Sequence, residues 1–398
     1  MSEIGGAVLV IGAGPAGLAS AYYLERAGIS YTVVDRADHV ASTWSNLYPT
    51  LRLNTASFVT HLPGRRLPLR YGYYATGRQL YEYLRRYSDD HQFNIVLQVE
   101  VYRVAPEGGR WRVETNRGVY HFDAVIVATG RFSNPYIPDI PGLPTTAINV
   151  LHARDYHHAE PFRDQRVMVV GSGPSGVDIA LELAEVAKRP VLLSVRSDIV
   201  IARRYPYGLP DTLWQMLARI LIPPRWRKAI VNKIVYQSYP DAHAIGLKLA
   251  PNRTDRQGSS TPVRGRALID AVKAGKIQPV AGIAQLEEHE AVLVDGSCYA
   301  IDSLILSTGY RPAIGYLDID YEVDIDGWPR RISDDIEGGQ TQVLGYPGLY
   351  LVGRFYRGLG PLNNIRREAA TAVREIQAYL KQKQAAPSLS AYTKARVE

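Results

Sequence analysis

The feature that most constrains this chain is a motif it carries twice. Val8-Leu9-Val10-Ile11-Gly12-Ala13-Gly14-Pro15-Ala16-Gly17 and Val167-Met168-Val169-Val170-Gly171-Ser172-Gly173-Pro174-Ser175-Gly176 stand 159 residues apart, with the three glycines and the proline retained. In each copy four apolar residues without polar alternation predict a buried parallel strand. The G-x-G-x-x-G turn next to it predicts a tight passage from strand to helix. Its first glycine permits the reversal, its second lets a diphosphate approach the main chain, and its third lets the helix pack closely on the strand. A repeat of this kind predicts an architecture of two similar nucleotide-binding units.

The two copies differ downstream of their third glycines. After the first, a helix through Leu18, Ala21, Tyr22 and Leu24 stops at Gly28, and Tyr31 to Val34 forms the next strand. Asp35 ends that strand eighteen residues past Gly17, with Arg36 beside it. A carboxylate there accepts the hydroxyls of an adenosine ribose. After the second copy a helix spans Val177 to Ala187 and a strand Val191 to Val195, but no acid stands at its end. Arg196 takes that place, with Ser197 next to it and Arg203 and Arg204 nearby. A carboxylate would repel a ribose 2′-phosphate and a guanidinium grips one, so the second unit is predicted to take NADP(H).

At 398 residues the chain has room for two or three domains. A hydrophobic share of 46% with 21% charged residues suits a globular protein. No apolar run reaches the ~20 residues of a spanning helix, and the start shows no basic region with an apolar signal core. A cytoplasmic location is the expectation. Cys298 is the only cysteine, which excludes an internal disulfide and any C-x-x-C redox pair. The net charge of +7 suits anionic small ligands, and because the Lys and Arg are scattered, nucleic acid is not an expected partner. No His, Cys and carboxylate spacing matches a metal site, and no serine sits in a nucleophile elbow.

Further along, Trp44 and the stretch Tyr48-Pro49-Thr50-Leu51-Arg52-Leu53-Asn54-Thr55 read as a loop, and Thr76 opens a helix. Phe93 to Val104, Trp111 to Thr115 and Val119 to Phe122 are expected to form a small antiparallel sheet. The run Asp123 to Gly130 reads as a buried strand with a tight turn at Thr129-Gly130, echoed at Leu304 to Tyr310 with its turn at Thr308-Gly309. Pro135, Pro138, Pro141 and Pro144 mark a linker. Residues 200–262 break the α/β rhythm, with one expected helix from Asp211 to Leu221 ended by Pro223-Pro224. Its apolar side (Leu213, Trp214, Leu217, Ile220, Leu221) reads as core, substrate wall or a membrane-surface patch, with core or wall the expectation, and the whole segment is expected to form much of a substrate pocket. The strand Gly348 to Gly353 and the helix Asn364 to Leu380 belong with the first unit. The expected division is 1–160 and 301–398 for the first dinucleotide-binding domain, with 161–300 inserted as the second, NADP(H)-binding one.

Together the two motifs, the two turns after Asp123–Val127 and Leu304–Leu306, and the late G-L-Y-x-V-G strand resemble the flavoproteins with two dinucleotide-binding domains. The lone Cys298 departs from the disulfide reductases of that group. His152 and Tyr156 match the F-x-G-x-x-x-H-x-x-x-Y fingerprint of flavin-containing monooxygenases, although Thr146 and Ile148 replace its Phe and Gly. With W-x-x-x-Y-P-x-L-R-x-N-T at Trp44 to Thr55, nearly the whole chain resembles that family, notably its short bacterial members and the plant indole-pyruvate monooxygenases. The resemblance implies an α/β fold of two Rossmann-like domains, with FAD on the first motif and NADPH on the second. It also implies O2 and a small organic substrate as partners, and transfer of one oxygen through a C4a-(hydro)peroxyflavin. Tyr156 stands where the longer Baeyer–Villiger branch carries Trp, which favours heteroatom oxygenation. Cofactor contacts are implied at Trp44, Thr129, Gly130, His152, Tyr156, Thr308 and Gly309, beside the two turns, Asp35, Arg36, Arg196, Ser197 and Arg203. Asn54 matches an active-site asparagine whose amide donates to the reactive oxygen without being acidic enough to protonate it. A reductase or oxidase passing electrons to a partner or to O2, and a flavin redox sensor without turnover, are the alternatives, and a homo-oligomer stays open.

Overall fold

The computed structural model describes residues 3–196, 198–235, 239, 247, 262–333, 339–354 and 359–385. Two five-stranded sheets, parallel throughout, organise them. The first runs Leu349–Leu351, Ala124–Val127, Val8–Ile11, Tyr31–Asp35, Ile95–Leu97 across its width. The second runs Asn149–His152, Ser303–Leu306, Arg166–Val170, Lys188–Ser194, Ile277–Val280. Position by position the second repeats the first. In each, a three-stranded antiparallel meander, Val101–Phe122 or Ile283–Ala300, leads into the strand beside the glycine-motif strand.

The repeat explains where the domains divide. The outermost strand of the first sheet comes from late in the chain, while that of the second, Asn149–His152, comes before its own glycine motif. The second sheet therefore extends beyond the expected limits of 161–300 at both ends, taking in Asn149–His152 from the supposed linker and Ser303–Leu306 from the supposed return segment. Burial drives both units. Val8, Val10, Leu18, Ala21 and Leu24 pack with Ala369, Ala372 and Val373 of the helix Pro361–Ala385 on one face of the first sheet. Leu9, Val125, Val127, Trp111 and Trp328 fill the other. Each large apolar side chain so buried contributes roughly 1.5–3 kcal/mol.

Three local expectations change. Phe93 to Val104 is not one strand: Ile95–Leu97 joins the parallel sheet and Val101–Glu107 the meander. Between them Gln98 takes a φ of 56°, a left-handed conformation that ends one pairing before the next begins. Pro224 does not only end the helix Asp211–Leu221; it starts a second one, Pro224–Val235, where its missing N–H costs nothing. Lastly, the helix Asp211–Leu221 buries its polar start. Asp211, Thr212 and Ala218 are inside, whereas Ile220 and Leu221 are 76% and 72% exposed. Among the described residues no helix is long and apolar enough to cross a membrane.

Candidate active site at the domain junction

The two glycine turns have the geometry their residues demand. Gly12 has a φ of +109°, and a Cβ on Gly17 would stand 1.8 Å from the Gly12 carbonyl oxygen. In the second copy Gly171 has a φ of +107°, and a Cβ on Gly176 would stand 1.9 Å from the Gly171 oxygen. Gly14 and Gly173 differ from these: a Cβ there would meet nothing within 4 Å. The space is open where a diphosphate would lie against the start of the helix, Pro15 or Pro174 being its first residue. The chain thus fits a dinucleotide at each turn.

A single cavity of 1630 Å³ runs between the domains. Gly12, Gly14, Pro15, Ala16, Asp35, Arg36, Trp44, Asn54, Thr129 and Gly130 line it from the first domain, and Pro174 and Ser175 from the second. The Asp35 carboxylate accepts from the backbone N–H of Ala13 at 2.7 Å and of Ala37 at 2.9 Å. Those bonds aim it, and each oxygen keeps a lone pair for a ribose hydroxyl. The loop bearing Gly353, which also lines the cavity, is tied down by Glu368, whose Oε2 accepts from the Gly353 N–H at 2.7 Å while Arg331 donates to its Oε1.

Asn54 is half-buried on the cavity wall, and its amide has no hydrogen-bond partner among the described residues. Its segment is held from both sides. The Leu53 N–H donates to the Ala75 carbonyl at 2.9 Å. Across the junction Tyr48 donates to Asp178 at 3.4 Å and Thr50 to Glu182 at 2.7 Å. The wall that carries the free amide is thereby registered against the second domain.

Other expected residues are engaged by the protein itself or lie off the cavity wall. His152 is buried, and its Nδ1 accepts from the Arg154 N–H, so its Nε2 carries the proton and donates to the Gly309 carbonyl at 3.2 Å. Burial holds this imidazole below its usual pKa, and the neutral ring braces a strand end against the Thr308-Gly309 turn. Thr308 in turn donates to the Tyr136 carbonyl, and Thr129 donates to the Ala313 carbonyl, so each turn clasps chain crossing between the domains. Tyr156 packs between Phe162 and Tyr48 in the second core, away from the cavity. Arg203 lies over the ring of Tyr239. Arg196 is exposed just past the strand Lys188–Ser194, and Ser197 lies outside the described residues. Of residues 200–262, Val200, Gln215 and Pro262 line the cavity, and 236–238, 240–246 and 248–261 lie outside the described residues.

Whether Arg196 reads a 2′-phosphate is decided by substitution. Arg196→Ala is expected to weaken NADPH about ten- to a hundred-fold, the worth of a charge-assisted contact, with NADH almost unchanged. Steady-state kinetics with both coenzymes check it; an equal loss for both shows that Arg196 does not read the phosphate.

Sequence reasoning passed over Asp178. Burial pushes its carboxyl up to about 6, against the pull of Arg204 and the Tyr48 hydroxyl. A folded-state pKa above the unfolded one contributes stability below the unfolded value that is lost as pH rises through the folded value. The window is therefore about pH 4 to 6, and the full difference is about 3 kcal/mol. Asp178→Asn is expected to raise the melting temperature by a few degrees at pH 8, with the gain shrinking towards pH 5. Thermal scans of the flavin-loaded protein across that range check it, and a gain independent of pH contradicts it.

Comparison with known proteins identifies the family and the fold. Residues 9–221 match the family described as pyridine nucleotide-disulphide oxidoreductase. The chain is 30% identical over 370 residues to the probable indole-3-pyruvate monooxygenase YUCCA8 of Arabidopsis thaliana, covering 88% of this chain and 84% of that one. Indole-3-pyruvate monooxygenase YUCCA1 of Oryza sativa subsp. japonica is 28% identical over 367 residues, covering 88% and 87%. The flavin-containing monooxygenase from Stenotrophomonas maltophilia superposes with a TM-score of 0.71 at 25% identity, covering 95% of this chain and 100% of that one. The NADP+-bound cyclohexanone monooxygenase from Rhodococcus sp. Phi1 shares the fold, with a TM-score of 0.69 at 19% identity over 96% and 85% of the two chains.

Proposed function

The chain belongs to the pyridine nucleotide-disulphide oxidoreductase family and is an FAD- and NADPH-dependent flavin monooxygenase, and on that premise we propose that the first glycine turn holds FAD, the second NADPH, and the wall around Asn54 the substrate. One observation carries this reading: both turns and the free Asn54 amide border the same cavity. FAD supplies the storage of two electrons and the reaction with O2. The chain's own residues supply the rest. Gly14 admits the diphosphate, Asp35 takes the ribose, and Gly353 closes the far wall. Arg196 selects the phosphorylated coenzyme. Asn54 donates a hydrogen bond where oxygen is transferred, and Tyr48 and Thr50 keep its segment in register with the second domain. Where the bound coenzymes and substrate displace water from this cavity, each of these polar contacts is strengthened.

For the substrate, indole-3-pyruvate is the first compound to try, because relatives covering most of this chain are named for it. We place the protein in the cytoplasm, where the exposed thiol of Cys298 stays reduced. The test is to denature the purified protein, identify the flavin by chromatography, and screen products by mass spectrometry with NADPH and air. FAD together with an oxygenated product supports the reading. FMN, or NADPH use that needs an added electron acceptor, overturns it.

A further inference from the structure

The wall that carries Asn54 also holds a buried cation that neither dinucleotide site uses. Arg264 follows Val263 in a short strand paired with Ile201–Ala202, and it lines the cavity with its side chain 7% exposed. Its Nη1 donates to Asp211, whose side chain is 0% exposed. Asp211 is well supplied with donors besides: the Tyr74 hydroxyl at 2.9 Å, Thr212 Oγ1 at 3.3 Å and Gln215 Nε2 at 3.4 Å. Arg264 is not so well served. Its Nε is buried without a partner, and only Nη1 of its guanidinium is hydrogen-bonded among the described residues.

The position of this group is fixed by its neighbours. Tyr74, which donates to Asp211, precedes Ala75, whose carbonyl accepts from Leu53, the residue before Asn54. These contacts tie Arg264, through Asp211 and Tyr74, to the segment that carries Asn54. The local charge is positive. Arg52 donates to the Tyr74 carbonyl and Arg204 lies over the Tyr74 ring at 5.3 Å, so three guanidiniums gather here. Asp211 and, beside Arg204, Asp178 oppose them.

We propose that Arg264, oriented by Asp211, is a specificity residue that grips a carboxylate carried by the substrate. With Nη1 committed to Asp211 and Nε buried, the Nη2 amino group of this cavity-lining guanidinium is left to donate a charge-assisted hydrogen bond to a carboxylate. The reacting atom then lies towards Asn54. The proposal rests on reading the Asn54 wall as the place of oxygen transfer. An oxyanion here has two sources, a substrate carboxylate or a coenzyme phosphate. The carboxylate is favoured because open space for a diphosphate already exists at Gly14 and Gly173.

Phenylpyruvate and phenylacetone separate the cases, since they share a skeleton and differ by carboxylate against methyl. Their binding to the FAD-loaded enzyme is measured by calorimetry with and without NADP+, and the affinity of NADP+ itself is measured alongside. Wild-type enzyme is expected to bind phenylpyruvate at least tenfold more tightly than phenylacetone. A double variant, Arg264→Gln with Asp211→Asn, removes both charges and keeps polar partners for Tyr74 and Gln215. It is expected to lose that preference through weaker phenylpyruvate binding, with phenylacetone and NADP+ held within twofold. Wild-type enzyme that shows no preference overturns the proposal without any variant. A double variant that keeps the preference, or that loses NADP+ instead, overturns it too. Because binding is read without turnover, a failure of oxygen transfer appears in the product assay and not here.

Discussion

Gly14→Ala is expected to purify as a folded but nearly colourless protein, and Gly173→Ala as a yellow protein that NADPH bleaches poorly. Both positions have negative φ, −82° at Gly14 and −73° at Gly173, which alanine adopts without strain. A Cβ at either would meet no protein atom within 4 Å. The apoprotein should therefore lose nothing in stability. What the methyl group meets is the ligand: it stands where a diphosphate must approach the main chain, and displacing that contact from the helix start costs about 1.5–3 kcal/mol. Flavin content after gel filtration, and the NADPH dependence of flavin bleaching in anaerobic stopped flow, should each fall about ten- to a hundred-fold in the corresponding variant. Gly17→Ala and Gly176→Ala are a contrast within the same turns. Their added Cβ atoms would stand 1.8 Å and 1.9 Å from backbone oxygens, so those variants lose fold stability as well. If Gly14→Ala retains FAD at the wild-type level, the first turn does not hold the flavin.

Asn54→Ala is expected to separate NADPH consumption from product formation. Its amide is free among the described residues and lies on the cavity wall, so truncation leaves no buried protein group unpaired and should cost little stability. A donor of this kind is worth about 0.5–1.5 kcal/mol in an ordinary setting, and more where water is excluded. Bleaching of the flavin by NADPH should survive, since hydride transfer needs no such donor. Product per NADPH should fall about tenfold or more, with H2O2 rising to match. Peroxide and product assays on one reaction mixture decide it. Unchanged coupling would make Asn54 a turn residue and require another donor on that wall.

The features legible in the sequence were those written as local patterns. Strand, glycine turn and helix are contiguous at Val8 to Arg26 and again at Arg166 to Leu183, so residue order alone specifies them. Thr76 likewise announces its helix, capped reciprocally by Gln79. Non-local pairing hid the rest. Asn149–His152 lies in a proline-rich stretch and becomes a strand only through Ser303–Leu306. That partnership also turns His152 from an expected cofactor contact into a brace on Gly309. Asp211 stands at the first position of its helix, where an acid ordinarily answers the helix dipole, and nothing local shows it buried against Arg264 and Tyr74. Asp178 and Tyr48 come from different domains, so their contact has no sequence signature at all.

A flavin monooxygenase uses electrons from NADPH to place one atom of O2 in an organic product. The most direct measurement of that transfer is a reaction run under 18O2 with FAD-loaded enzyme and a substrate found by product screening, counting NADPH oxidised and isotope in the product. One 18O atom gained per NADPH oxidised, with no product when O2 is withheld, is the predicted result. NADPH oxidation whose 18O appears only in H2O2, or that proceeds on an added acceptor without O2, would contradict it.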